Sequence, residues 1–107
     1  MDPVDWAALK EQCADDEGLV REVVDLYRRE WRGLLGDVQH AEAQGDLPAC
    51  KRTAHRLKGA LLSLAAKPAA DFAQQLEQAA GAGDGARVKT LLATLSGELD
   101  RVAAALG

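Results

Sequence analysis

Apolar residues recur every three or four positions along most of this chain, the spacing of helices that each bury one face. The strongest run is Val20, Val23, Val24, Tyr27, Trp31, Leu34, Leu35, Val38 and Ala41. These share one stripe and predict a long helix from the caps Asp15 and Asp16 to about Gln44. Gly45 closes that helix and Asp46 caps the next, a connection short enough to make the two neighbours antiparallel. A third helix, from Leu47 to about Ala66, turns Leu47, Cys50, Ala54, Leu57, Leu61 and Leu64 inward. Lys67 precedes Pro68, which disfavours helical backbone at Lys67 and restarts a helix at Pro68. This fourth helix carries Phe72, Leu76 and Ala79 inward, with Gln74, Gln75, Glu77 and Gln78 facing mostly outward. Gly81, Gly83 and Gly85 mark a loop, and Asp84 caps a last helix with Val88, Leu91, Leu92, Leu95, Leu99, Val102 and Leu106 on its apolar face. At the start, Asp2 and Pro3 form a cap and first-turn pair for a short helix to about Gln12, a lid with Val4, Leu9 and Trp6 inward. The pattern predicts an all-α fold: an antiparallel up-down four-helix bundle with a short additional N-terminal helix, one domain over residues 1–107.

Composition narrows the class. Among 107 residues, 48% are hydrophobic but only 4% aromatic, Ala and Leu dominate, and Ile is absent, all of which favour helix over strand. No apolar run approaches the roughly 20 residues of a membrane span, and Met1-Asp2-Pro3-Val4-Asp5 has neither the basic flank nor the apolar stretch of a secretory signal. A cytoplasmic protein away from membranes is expected. Cys13 and Cys50 lack CxxC spacing, so both read as free thiols, Cys50 in the core, with no metal site. A net charge of -4 argues against nucleic acid as the main partner. Against that acidic background Lys51, Arg52, Arg56 and Lys58 crowd around His55, with no acid among them. Something negative is expected to dock there.

On the wheel of the third helix, His55 falls roughly 135° from the centre of the core stripe, so the imidazole faces water. Lys51, Arg52, Lys58 and Gly59 lie one turn away along the helix. Nearby cations favour a neutral ring, whose lone pair can attack phosphorus. After phosphorylation the same cations become partners of a dianionic group. The plain alternative is a solvated surface histidine. Gly59 costs about 1 kcal/mol relative to Ala in a helix interior; it is either incidental or a bare patch of backbone over which a partner can approach. Leu62, one turn further on the same side, is an apolar docking contact or a common exposed leucine. Gly33 and Gly36 on the second helix either flatten that surface or are tolerated there. His40 lacks neighbouring Lys and Gly and reads as solvated. There is no phosphate-binding GxxxxGK[ST] loop, so the chain is not a complete kinase.

The segment AHRLKGALLSLAAKPAADFAQQLE resembles the signature of the histidine phosphotransfer (HPt) family: an exposed His, then Lys and Gly three and four positions on, an apolar turn, and a second helix ending in Leu-Glu. The resemblance extends over nearly the whole chain. It implies that His55 is phosphorylated through Nε2, that Lys58 assists the phosphoryl group and that Gly59 leaves it room. It implies response-regulator receiver domains as partners, with a hybrid sensor kinase, and Mg²⁺ on the receiver rather than on this chain. The protein would be a monomeric phosphocarrier in a two-component phosphorelay, without ATP binding or kinase activity. Two departures stand out. Ala65 occupies a position where such sequences usually have Gly, so a differently shaped turn is expected there. Arg56 follows His55 where the dimerisation helices of sensor kinases have an acid, which weighs against a kinase fragment. A helical adaptor that binds receivers or other signalling proteins without phosphotransfer is the alternative, and whether the domain stands alone is open.

Overall fold

The computed structural model describes residues 2–107; Met1, the first residue of the N-terminal stretch read above, lies outside them. Five helices follow in order: α1 (Trp6–Gln12), α2 (Glu17–Ala43), α3 (Leu47–Ser63), α4 (Lys67–Gly81) and α5 (Gly85–Leu106). Among the described residues there is no strand, and the protein is all-helical. Four of the five starts are set by an aspartate carboxylate that accepts from a backbone N–H three residues on. Asp5 takes that of Ala8 at 3.0 Å, Asp16 that of Leu19 at 3.2 Å, Asp46 that of Ala49 at 3.0 Å and Asp84 that of Arg87 at 3.1 Å. Each satisfies one of the donors that a helix start leaves unpaired.

Helix α3 packs against both α2 and α4, α4 against α5, and α5 back against α2. The core lies between them, with Leu57, Leu61, Leu76, Leu95 and Leu99 fully buried, and Val4, Leu9 and Cys13 add to it from the α1 end. No charged residue among those described is buried, and the hydroxyl of buried Tyr27 has no hydrogen-bond partner within the protein. The α2 stripe appears as read, Val24, Tyr27, Trp31, Leu35, Val38 and Ala41 being buried. Val20, Val23 and Leu34 are half-buried at its margin.

The ends differ from the sequence reading in specific ways. Helix α1 is capped by Asp5 rather than Asp2 and starts at Trp6 rather than Pro3, because the Asp5 carboxylate reaches the Ala8 N–H. Burying Val4 just before that cap leaves Trp6 exposed instead of inward. Helix α3 stops at Ser63, not Ala66, and α4 starts at Lys67 despite the proline that follows. Pro68 sits in the first turn, where its missing N–H leaves no bond unmade. Between them Ala65 adopts φ 56°, the left-handed conformation glycine adopts freely. The Ala66 N–H bonds the Leu61 carbonyl at 2.9 Å and the Ala65 N–H the Leu62 carbonyl at 3.0 Å, the closure of a glycine-type helix end. The expected change of turn shape is therefore absent; alanine makes the glycine turn, at a steric cost.

Candidate functional site

His55 lies on the outer side of α3. Its neighbours Ala54 and Leu57 are buried, whereas the imidazole side chain is 66% exposed. Its Nδ1 stands 2.9 Å from Oε2 of Glu77 on α4, and Lys58 Nζ stands 2.8 Å from the other oxygen, Oε1. One carboxylate thus joins the histidine to the lysine one turn further along. Glu77 and Lys58 are both mostly covered, at 17% and 19% side-chain exposure, so this pair is screened far less than a surface ion pair. Burial pushes the Glu77 carboxyl up, but hydrogen bonds from Lys58 and His55, together with their charges, outweigh it and leave the carboxyl below the ordinary range. An ionised carboxylate only accepts, so Nδ1 is the donor in this contact. In the neutral form of the ring, Nε2 is then the nitrogen without the proton.

This corrects the sequence reading in two places. Glu77, assigned mostly to the outside, turns back onto the histidine. The basic stretch is also not free of acids in space: Asp37 on α2 lies 3.9 Å from Arg56. Acids from both flanking helices offset a cluster that looked purely cationic along the chain.

The structure brings some of the other residues singled out together with His55 and leaves others apart. Lys51, Arg52, His55 and Arg56 line one open cleft with Pro48 and Glu77. A second cleft, between α3 and α4, is lined by Lys51, Lys58, Gln74, Glu77, Gln78 and Gly81. Gly59 is exposed, and a Cβ built there would meet nothing within 4 Å. Leu62 is exposed further along α3. On α2, Gly33 is exposed and Gly36 half-buried, both bordered by open space, and the Asp37–Arg56 contact brings this part of α2 alongside α3. His40 is exposed near the end of α2. Cys50 is buried, its thiol pushed up by burial and then by Glu42 and Asp46, and Cys13 is buried as well. No group of three or more metal-ligating side chains occurs among the described residues.

The arrangement presents an imidazole to solvent, with Nδ1 against the Glu77 carboxylate and cations on the same helix. A family model for the Hpt domain matches residues 22–105, and the chain belongs to the Hpt domain family. Hpt domains are phosphocarrier modules of two-component signalling, without kinase activity of their own, and generally interact with receiver domains. No curated protein and no solved structure matched the chain. No helix among the described residues is long and apolar enough to cross a membrane.

Proposed function

We propose that this protein is a histidine phosphotransfer protein that accepts a phosphoryl group on His55 from the aspartate of one receiver domain and passes it to another. The observation that carries the reading is the outward, largely exposed imidazole of His55, with Nδ1 engaged by Glu77. Nε2 attacks phosphorus in line while the bond from phosphorus to the receiver's aspartate oxygen breaks, and that carboxylate leaves with the electron pair. Lys51, Arg52, Arg56 and Lys58 offset the charge of the phosphoryl group and of the incoming receiver. Gly59 and Leu62 form the bare and apolar parts of the docking surface. The Mg²⁺ that such a transfer uses belongs to the receiver, and a hybrid sensor kinase is the upstream donor. The scaffold in this reading is an antiparallel up-down bundle of α2 to α5 with α1 appended, a cytoplasmic monomer.

The test is incubation with a phosphorylated receiver and Mg²⁺. Acid-labile label on the wild type that is absent from His55→Gln supports relay, and Lys58→Ala transfers more slowly with the fold intact. Label that persists in His55→Gln moves the site elsewhere. Tight receiver binding with no label on any variant favours the adaptor.

A further inference from the structure

We propose that Lys51, seated against the bare backbone of Gly81, is the cation that binds the phosphoryl group on His55, while Lys58 stays committed to Glu77. The proposal deepens the phosphocarrier reading and rests on it. Its basis is a difference between two lysines that lie one turn to either side of His55 on α3.

Lys58 Nζ is 2.8 Å from the Glu77 carboxylate, and both side chains are mostly covered. Its charge is offset before any phosphoryl group arrives, and drawing it away would leave a covered carboxylate short of a partner. Arg56 leans the other way, toward Asp37 on α2. Lys51 and Arg52 pair with no carboxylate among the described residues. Of these two, Lys51 borders both clefts, the one beside His55 and the one between α3 and α4, whereas Arg52 borders only the first. Helices α3 and α4 run past each other so that His55 meets Glu77 and, one turn along, Lys51 meets Gly81. A Cβ built on Gly81 would stand 3.6 Å from Lys51 Cδ and 3.7 Å from its Cε and Nζ, so the outer half of the lysine already lies along α4. Glycine at 81 presents no acid to neutralise Nζ. The contact also removes part of the freedom that a long side chain gives up on binding. Once Nε2 carries the phosphoryl group, Nζ donates charge-assisted hydrogen bonds to its oxygens, and the lysine makes and breaks no covalent bond. The consequence is a firmer hold on the group by His55 against the receiver's aspartate.

Phosphorylation of the full chain by phosphoramidate, followed through the lysine ammonium signals in nitrogen-15 NMR, tests the contact without a receiver. The expected result is that the Lys51 signal shifts and that of Lys58 holds. In exchange with a Mg²⁺-loaded receiver, the equilibrium constant for phosphate on His55 over the receiver's aspartate is expected to fall about tenfold in Lys51→Gln. Lys58→Gln and Arg52→Gln are expected to lower it by smaller factors. Gly81→Leu fills the seat, so it is expected to lower the constant in the wild-type background and to add nothing to Lys51→Gln. An unmoved Lys51 signal, wild-type exchange by Lys51→Gln, or a larger loss in Lys58→Gln or Arg52→Gln overturns the proposal. Equal losses from Gly81→Leu in both backgrounds overturn the role of the glycine seat. Failure of the phosphocarrier reading itself looks different: neither phosphoramidate nor a phosphorylated receiver labels His55 in the wild type.

Discussion

Gly59 separates stability from function more cleanly than any other position near His55. A Cβ added there meets no atom within 4 Å, so alanine introduces no clash and removes only the conformational penalty of glycine. In a helix interior that penalty is about 1 kcal/mol. For a domain of this size Gly59→Ala should raise the melting temperature by about 4 °C. Leucine is nearly as good a helix former, so Gly59→Leu should also melt above the wild type. Its side chain, however, projects one turn from His55 into the space that a partner must cross. Misplacing reacting atoms by about 1 Å costs on the order of 100-fold in rate, so Gly59→Leu should slow transfer from a phosphorylated receiver at least tenfold. Thermal unfolding followed by circular dichroism and single-turnover transfer measure the two effects on the same samples. A Gly59→Ala melting point below the wild type would refute the open-space assignment. A stable Gly59→Leu that transfers at the wild-type rate would show that the partner does not pass over this patch.

Two further outcomes follow from the geometry. Ala65→Gly relieves a left-handed alanine at φ 56° and should raise stability by about 1 kcal/mol in urea unfolding; an unchanged or lower midpoint would mean that the turn carries no such strain. The Glu77 carboxyl is held below its ordinary range in the folded state, so it contributes stability above the unfolded carboxyl value that is lost as pH falls through the folded one. The wild type should therefore lose stability more steeply in acid than Glu77→Gln, and parallel midpoint-against-pH curves would sink that assignment.

Much of this fold was legible because it is written in local patterns. The α2 stripe, the Gly45–Asp46 connection and the capping aspartates Asp16, Asp46 and Asp84 each act within a few residues of themselves. His55 was legible for the same reason, since its outward direction follows from the buried Ala54 and Leu57 beside it. At the start of α1 the pattern misled: the Asp2-Pro3 pair reads as a cap and first turn, whereas the Asp5 carboxylate accepts from the Ala8 N–H and Val4 is buried ahead of it. Glu77 was missed because its partner is 22 residues away. A wheel drawn for α4 alone shows an acid beside the core stripe and nothing to hold it there. The signal lay in combining helices. His55 precedes Ala65 by ten residues and Glu77 follows it by twelve, so folding α3 and α4 back on each other about that turn brings them to one level.

That dependence on the turn makes the Ala65 segment part of the site although it lies far along the helix from His55. The distance between Nδ1 and Glu77 depends on how α3 is staggered against α4, which follows from the turn that joins them and from the packing of the two helices along their length. Helix α1 is fastened to the same place. The Asp5 N–H donates to the Ala65 carbonyl at 3.0 Å, and the Gln12 amide donates to the carbonyls of Leu62 and Ser63 at 3.3 Å each. The Leu62 carbonyl also accepts from the Ala65 N–H, whereas those of Ser63 and Ala65 are among the carbonyls that a helix end leaves to outside donors. The short N-terminal helix thus does more than cover the core. Its hydrogen bonds end on the alanine turn, the segment about which α3 and α4 fold back on each other.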